Sequence, residues 1–313
     1  MGTPTCSPGN STWPRSKTLS PRVRGAALLV LAILIWGTNW PVMKTGLQHI
    51  GPLWFSATRF ALGGLCLFVV QAGTGSLRLP TRRDLPLVIS VGLLQMLAFT
   101  ALGAFAMLHV EAGRSAILAY TTPLWVVPAA ILFFGERLSL RGAAGTVLGL
   151  LGVVGLFNPL SLDWRDGEAL LANLMLLAAS LCWAICILHL RYYRGDSSAY
   201  QLAPWQMLLA AIPLTLLAYV VEGPFDGDNS RTLWQVVLFV GPLATAFCFC
   251  AVNAASMWLS STSMSTAMLG VPLVGLLMSV IWLGERLTIG LVVGVLAIVV
   301  GIGLISWPAA RAR

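Results

Sequence analysis

Long apolar segments recur along the whole chain, separated by short breaks in which Gly, Pro, Ser and charged residues collect. Each segment is close to the roughly 20 residues that a helix needs to cross a bilayer core about 30 Å thick. Because that core holds no water, every crossing must satisfy its own backbone hydrogen bonds, and the segments lack the alternation of barrel strands. The sequence therefore predicts an all-α membrane protein. Its ten predicted transmembrane helices cover residues 24–46, 53–71, 85–108, 112–134, 140–157, 170–190, 200–221, 233–256, 263–283 and 289–307.

Composition excludes several other classes of protein. Hydrophobic residues make up 58% of the 313 residues and charged residues 10%, which is too few to cover a water-soluble globule. The sequence contains no phosphate-binding glycine loop, and its Cys and His spacings do not match those of a metal site. We therefore expect neither an enzyme nor a bound metal or cofactor.

One phrase occurs twice in the chain. The stretch FFGERLSLRG at 133–142 and the stretch WLGERLTIG at 282–290 are related by a shift of 149 residues without a gap. The same shift aligns Pro123 with Pro272. The chain is therefore predicted to contain an internal duplication.

The duplication has a consequence for topology. Each copy contains five predicted helices, and because five is odd the second copy must enter the membrane from the opposite side. The sequence thus predicts two inverted five-helix repeats, an architecture common among secondary transporters. The predicted units are a flexible cytoplasmic tail at 1–23, a first repeat at 24–157, a second repeat at 158–307 and a short cytoplasmic tail at 308–313.

The repeated Gly-Glu-Arg-Leu phrase is typical of a tight turn between two helices. Gly135 and Gly284 can adopt the left-handed conformation that ends a helix, and Ser139 and Thr288 can cap the helix that follows. A structural hairpin explains the phrase, and a gate is the alternative.

The basic residues indicate the orientation. With a cytoplasmic N-terminus, thirteen of the 19 Lys and Arg residues fall on the inner side, as the positive-inside rule requires. Both termini are therefore predicted to be cytoplasmic. The same distribution accounts for the net charge of +8 without a nucleic-acid partner, because the charges flank the membrane instead of forming one basic face.

The chain resembles the EamA domains of the drug/metabolite transporter superfamily. The resemblance lies in LAILIWGTNWPVMKTGL, PLWFSATRFALGG and SLCWAICILHLRYYRG and extends from about residue 24 to 307. It implies ten helices around a central cavity, and the most similar members include bacterial inner-membrane exporters of amino acids and related small metabolites. Uptake or a broad drug range are alternatives, and a membrane sensor or scaffold is the rival outside transport.

Two patterns indicate candidate substrate-binding residues. Polar or aromatic groups that share a helical face near mid-depth are one, although the amides could equally hold helices together. Matches to the resembled family are the other, with Arg59 either a site residue or an interfacial anchor. Thr122 stands where some of those exporters have an aromatic residue. The candidates are Trp36, Asn39, Gln95, Phe99 and Asn253 from the first pattern, and Arg59, Tyr120, Thr122 and Trp183 from the second.

Energy coupling and assembly can also be predicted. Proton-driven carriers commonly use a carboxylate among the spans, and here every Asp and Glu falls in a tail, a loop or a helix end. We therefore expect facilitated diffusion of a small-molecule substrate. The Gly145/Gly149 and Gly290/Gly294 pairs favour close packing within the chain's own bundle over dimerisation, so we expect a monomer in contact only with membrane lipid.

Overall fold

The computed structural model describes residues 20–135, 140–157, 166–259, 264 and 267–306. The predictions for residues 1–19, Glu136–Leu138, Ser139 and 307–313 lie outside this range. Within it the chain is helical, which confirms the predicted class. We number the helices α1 Pro21–Gly46, α2 Pro52–Gly73, α3 Leu85–His109, α4 Ala112–Phe134, α5 Leu140–Phe157, α6 Gly167–Tyr192, α7 Ala199–Val221, α8 Arg231–Ser256, α9 Gly270–Leu283 and α10 Ile289–Ser306.

The helix lengths bear on the predicted number of membrane crossings. Seven of the described helices, α1 to α4 and α6 to α8, are long and apolar enough to span a bilayer. The other three, α5, α9 and α10, are apolar but shorter. The chain is thus a multi-pass membrane protein, and the count of ten crossings stays a prediction.

Large apolar side chains cover much of the outer surface. Leu132, Val220 and Ile289 are 77%, 80% and 85% exposed, respectively. A protein in water would pay heavily for such a surface, whereas lipid chains solvate it. The exposure therefore agrees with a bundle embedded in lipid.

Two wide-turn segments interrupt the α-helices at matched positions. Residues Ser90–Ala98 of α3 and Phe239–Phe247 of α8 are π-helical, and each segment has nine residues. Their separation equals the 149-residue shift of the sequence duplication. A π-turn rotates the side chains before it relative to those after it, and such turns are frequent at functional sites.

Helices α5 and α10 pack closely through glycine. A Cβ atom added at Gly152 would lie 2.8 Å from the carbonyl oxygen of Gly294, and one added at Gly301 would lie 2.6 Å from that of Gly145. Positions that advance along α5 meet positions that retreat along α10, so the two helices are antiparallel. The predicted close glycine packing inside the chain's own bundle is confirmed for this pair.

The third helix of each copy packs on the second helix of the other copy. A Cβ at Gly92 of α3 would lie 3.0 Å from the carbonyl oxygen of Gln206, and one at Gly241 of α8 would lie 3.2 Å from that of Arg59. The two glycines are 149 residues apart and their partners 147. Arg59 on α2 and Gln206 on α7 therefore occupy equivalent positions, and the first two helices of each copy follow a shift of 147.

The helix ends at the repeated phrase match the prediction where they are described. Gly135 and Gly284 end α4 and α9 with φ values of 66° and 68°, in the left-handed region that favours glycine. The hydroxyl of Thr288 accepts a hydrogen bond from the amide of Leu291 at 3.2 Å and so caps α10. Ser139, the expected cap of α5, lies outside the described residues.

Candidate substrate cavity

A cavity of about 120 Å³ lies inside the bundle, where helices of both copies meet. Seven of the nine predicted site residues line it. These are Trp36, Asn39, Arg59, Gln95, Phe99, Tyr120 and Trp183. The remaining lining residues are Trp40, Met43, Phe60, Met96, Thr100, Gly103, Met207, Ala244, Thr245 and Phe249.

Aromatic rings form much of the cavity wall. The ring of Trp183 on α6 meets Phe99 edge-on at 5.1 Å between centroids and Tyr120 at 5.2 Å. The indole of Trp36 on α1 donates a hydrogen bond of 2.7 Å to the carbonyl oxygen of Ala244, inside the π-helical segment of α8. These contacts fix the orientation of rings that present apolar faces to the cavity.

Arg59 supplies the cavity with its positive charge. Its Nε donates to the Thr245 hydroxyl at 2.8 Å, and its Nη1 donates to the Met43 sulfur at 3.4 Å. Its guanidinium carbon also lies 5.7 Å from the ring centroid of Phe60. Of the two sequence-based alternatives for Arg59, this geometry favours a site residue over an interfacial anchor.

Thr245 is oriented by the π-turn that carries it. Its hydroxyl donates to the carbonyl of Val240, five residues earlier, at 2.8 Å. With the hydroxyl hydrogen used in this way, its oxygen is free to accept from Arg59. The wide turn of α8 therefore helps to direct the guanidinium into the cavity.

Asn39 and Met43 lie one helical turn apart on α1. The Asn39 amide nitrogen donates to the Met43 sulfur at 2.9 Å, while its oxygen Oδ1 has no hydrogen-bond partner among the described residues. Asn39 is only 5% exposed. A buried oxygen without a donor is unusual in proteins, because its desolvation is not compensated.

Thr122 and Asn253 are not among the residues that line this cavity. Pro123 has no amide hydrogen, so the carbonyl of Ala119 loses its usual helical donor, and the buried Thr122 hydroxyl donates to it at 3.3 Å. The amide of Asn253 donates to the carbonyl of Phe249 at 2.8 Å within α8. These hydrogen bonds give both residues a local structural role.

A second cavity of about 530 Å³ adjoins the first. The two share Trp36, Gln95, Trp183 and Phe249, and the second extends to Arg194 and Ser198 at the start of α7. Asn253 lines this second cavity, as does Gln206. It forms a vestibule between the enclosed cavity and one end of the bundle.

Carboxylates close the opposite end of the bundle. Glu285 accepts hydrogen bonds from the backbone amides of Ala112 at 2.6 Å and Gly113 at 2.9 Å, at the start of α4. Glu222 does the same for Leu53 at 2.8 Å and Trp54 at 3.0 Å, in the first turn of α2. Each contact ties the second copy to the first through a helix N-terminus, where a negative charge is favourable. Burial raises the pKa of Glu285, although these amide donors oppose the shift.

Comparison with known proteins decides the family. The model of the EamA-like transporter family matches residues 23–158 and again residues 170–307, once for each copy of the duplication. The chain belongs to the EamA-like transporter family. The resemblance found in the sequence is thereby confirmed, together with its two-repeat architecture.

Individual relatives of this EamA-like chain are more distant. The uncharacterised transporter YoaV of Bacillus subtilis (strain 168) is 26% identical over 91% of this chain and 97% of the relative. A protein of Streptantibioticus cattleyicolor named "Probable terminal-alkyne amino-acid exporter" is 28% identical over 82% and 84%. One of Escherichia coli (strain K12) named "Probable amino-acid metabolite efflux pump" is 24% identical over 85% and 89%. A solved crystal structure, 21% identical over 90% of this chain and 96% of that one, has the same fold with a TM-score of 0.62.

Sequence reasoning about this EamA-like chain missed part of the cavity wall on α8. A regular helical period indicates Cys250, Asn253 and Met257 as one face, whereas the cavity is lined by Ala244, Thr245 and Phe249. The π-helical segment changes the register of the residues before it. A signal was available in the duplication, because Thr245 lies 149 residues after Met96, which also lines the cavity.

Proposed function

We propose that this chain is a secondary transporter that exports amino acids or related small metabolites across the bacterial inner membrane by alternating access. The observation that carries the proposal is the enclosed cavity, which combines aromatic walls with one guanidinium and takes its lining from both copies of the repeat. Such a cavity at the interface of two repeats is typical of secondary transporters. The printed names of two relatives, as an amino-acid exporter and an amino-acid metabolite efflux pump, support this cargo class.

The proposed topology is two inverted five-helix repeats, residues 24–157 and 158–307, with ten crossings. Tails at 1–23 and 308–313 would both be cytoplasmic. The antiparallel contact of α5 and α10 supports inversion, because these helices are the fifth of each copy. A reporter fused after Arg313 should read cytoplasmic and one inserted within 222–231 should read external. Opposite signals would contradict the orientation.

In this orientation the vestibule opens toward the cytoplasm and the Glu285 end faces outside. A metabolite would enter from the cytoplasm through the vestibule, bind in the enclosed cavity and leave when the Glu285 end opens. The described residues that line the two cavities include no carboxylate, which supports facilitated diffusion by a monomer over proton coupling.

Counterflow in proteoliposomes tests the proposal. Vesicles loaded with unlabelled amino acid should accumulate the labelled form transiently, and vesicles with the Trp183→Ala variant should do so far more slowly. Vesicles without protein are the control. No counterflow with any amino acid or related acid would contradict the transporter assignment.

A pH gradient at zero membrane potential tests the coupling. Facilitated diffusion predicts that a gradient of either sign leaves the final level of a zwitterionic substrate equal on both sides. Steady accumulation against the substrate gradient would instead require proton coupling. Net flux measured from each side then separates export from uptake.

A further inference from the structure

The only guanidinium that lines the enclosed cavity, within the part of the chain that the structure describes, faces neutral partners. The contacts of Arg59 are the Thr245 hydroxyl, the Met43 sulfur and the Phe60 ring. The ionisable side chains nearest to it are the phenol of Tyr120 and the thiol of Cys248. None of these groups neutralises a positive charge, and a charge inside a membrane bundle is costly without a counterion.

The carboxylates of the described residues that could serve as counterions are engaged at the ends of the bundle. Glu222 and Glu285 hold the first turns of α2 and α4. Asp84 accepts hydrogen bonds from Thr81 and from the backbone amides of Asp196 and Ser197. The counterion of Arg59 must therefore come from outside the described protein residues. A carboxylate suits it best, because the planar guanidinium binds carboxylates in a matched fork geometry.

The second polar group that awaits a partner is Oδ1 of Asn39. It lines the same cavity, is buried, and has no donor, while the amide nitrogen of the same side chain is already used by Met43. An amide oxygen only accepts, so its missing partner must be a donor. An ammonium or a hydroxyl group of the substrate would supply it.

One sulfur atom holds the two recognition groups side by side. The Met43 thioether accepts from Asn39 at 2.9 Å and from Arg59 at 3.4 Å. Met43 itself is only 4% exposed, so its position is set by packing. The acceptor on Asn39 and the cation on Arg59 are therefore adjacent, like the substituent and the carboxylate on the α-carbon of a small acid.

We infer that the cavity recognises small carboxylic acids that carry an α-amino or α-hydroxy group and an apolar side chain. Arg59 binds the carboxylate, Asn39 accepts a hydrogen bond from the α-substituent, and Met43 is a positioning residue for both. The rings of Trp36, Phe99 and Trp183 receive the apolar side chain. This inference rests on the proposed transport function and narrows it, because it makes the carboxylate essential and lets a hydroxyl replace the ammonium.

Binding to the full-length protein in detergent tests the inference without any variant. Intrinsic tryptophan fluorescence is a suitable signal, since tryptophans line the cavity. The probes are L-leucine, 2-hydroxy-4-methylpentanoate, 4-methyl-2-oxopentanoate, L-leucinamide and 3-methylbutylamine. We expect the first two to bind with similar Kd, and the other three at least tenfold more weakly. Binding of the amide or the amine as tightly as leucine, or no binding of any acid, would overturn the inference.

Variants assign the two contacts separately. Arg59→Gln should weaken leucine binding at least tenfold, and Arg59→Lys, which keeps the charge but loses the fork, should weaken it less. Asn39→Leu should remove the preference for the hydroxy acid over the oxo acid while leaving a requirement for the carboxylate. Arg231→Gln, which removes a cation from the first turn of α8 outside the cavity lining, is the matched control. Unchanged leucine binding by Arg59→Gln would refute the role of Arg59.

Transport measurements separate this inference from the broader proposal. Leucine counterflow that leucinamide inhibits as well as leucine does would leave the transporter assignment intact and refute carboxylate recognition. The expected order of binding without counterflow of any probe would support the recognition and refute the transport function.

Discussion

The two copies of the repeat share a backbone but differ in chemistry at equivalent positions. Arg59 on α2 corresponds to Gln206 on α7, since the carbonyl of each meets an equivalent glycine of the other copy. In the third helix of each copy, Met96 corresponds to Thr245. The first copy places its cation in the enclosed cavity, whereas Gln206 lines the vestibule.

Other positions have kept their residue type. Trp36 and Trp183 are 147 residues apart, the shift that relates the first two helices of each copy, and both line the enclosed cavity. The two π-helical segments are also retained. The difference teaches that the duplication supplies a symmetric frame, while polar substitutions in single copies make the site asymmetric and give it one cationic side. Four predictions test this division.

The largest effect is expected from exchanging the Arg59 and Gln206 side chains. Arg59→Gln should lower the initial counterflow rate on the order of 100-fold, because hydrogen bonds to a charged group contribute about 1.5–3 kcal/mol each. Adding Gln206→Arg should not restore the rate, since the new cation would lie in the vestibule, away from Met43. Recovery of half the activity in the double variant would show that the two positions are interchangeable.

A smaller loss is expected from the retained aromatic pair. Trp183→Ala should slow counterflow about tenfold, because it removes the edge-on contacts with Phe99 and Tyr120, each worth about 0.5–1.5 kcal/mol. Tyr120→Ala should have a similar effect, and Trp183→Phe should retain most activity. Membrane abundance should be unchanged in all three and serves as the control. Normal transport by both alanine variants would remove these rings from the site.

Thr245 provides a finer test of the asymmetry. Thr245→Val keeps the shape of the side chain but removes the oxygen that accepts from Arg59, so transport should fall about fivefold, equivalent to about 1 kcal/mol. Met96→Leu, at the equivalent position of the first copy, should change transport less than twofold. Equal losses in the two variants would indicate a packing defect and not the lost hydrogen bond.

The smallest effect on transport is expected at Asp84, whose equivalent in the second copy is the buried Leu233. Burial opposes ionisation of Asp84, but hydrogen bonds from Ser197 and Thr81 outweigh it and lower the pKa of this carboxyl. Its ionised form therefore stabilises the fold above the ordinary pKa of about 3.9, and this contribution is lost as the pH falls toward the lower native pKa.

Asp84→Asn should accordingly lower the thermal unfolding midpoint in detergent by a few degrees at pH 7. The difference from the unmodified protein should shrink below about pH 4, where the carboxyl begins to lose its advantage. Leu233→Ala, which instead opens a hole in the core, should destabilise the protein equally at both pH values. A pH-independent effect of Asp84→Asn would contradict the role of the charge.

The sequence alone determined the class, the helices and the duplication. Apolar length and backbone hydrogen bonding in lipid leave few options for a spanning segment, so predicted bounds such as 85–108 and 112–134 agree closely with Leu85–His109 and Ala112–Phe134. The repeated phrase marked Gly135 and Gly284 as helix ends because only glycine adopts a positive φ without strain. Mid-depth polarity together with family resemblance also identified seven residues of the cavity wall.

Only the tertiary structure decided which faces meet and which polar groups remain unpaired. Helices that are apolar all round carry no periodic signal for their inner face, so spacing could not reveal that the π-turn in α8 brings Thr245 to Arg59. Thr122 looked like a cavity residue, but the missing amide hydrogen of Pro123 gives its hydroxyl a local acceptor at Ala119. The direction of the Arg59 side chain likewise depends on contacts with α1 and α8, which lie far from it in the sequence and meet it only when the two copies pack together.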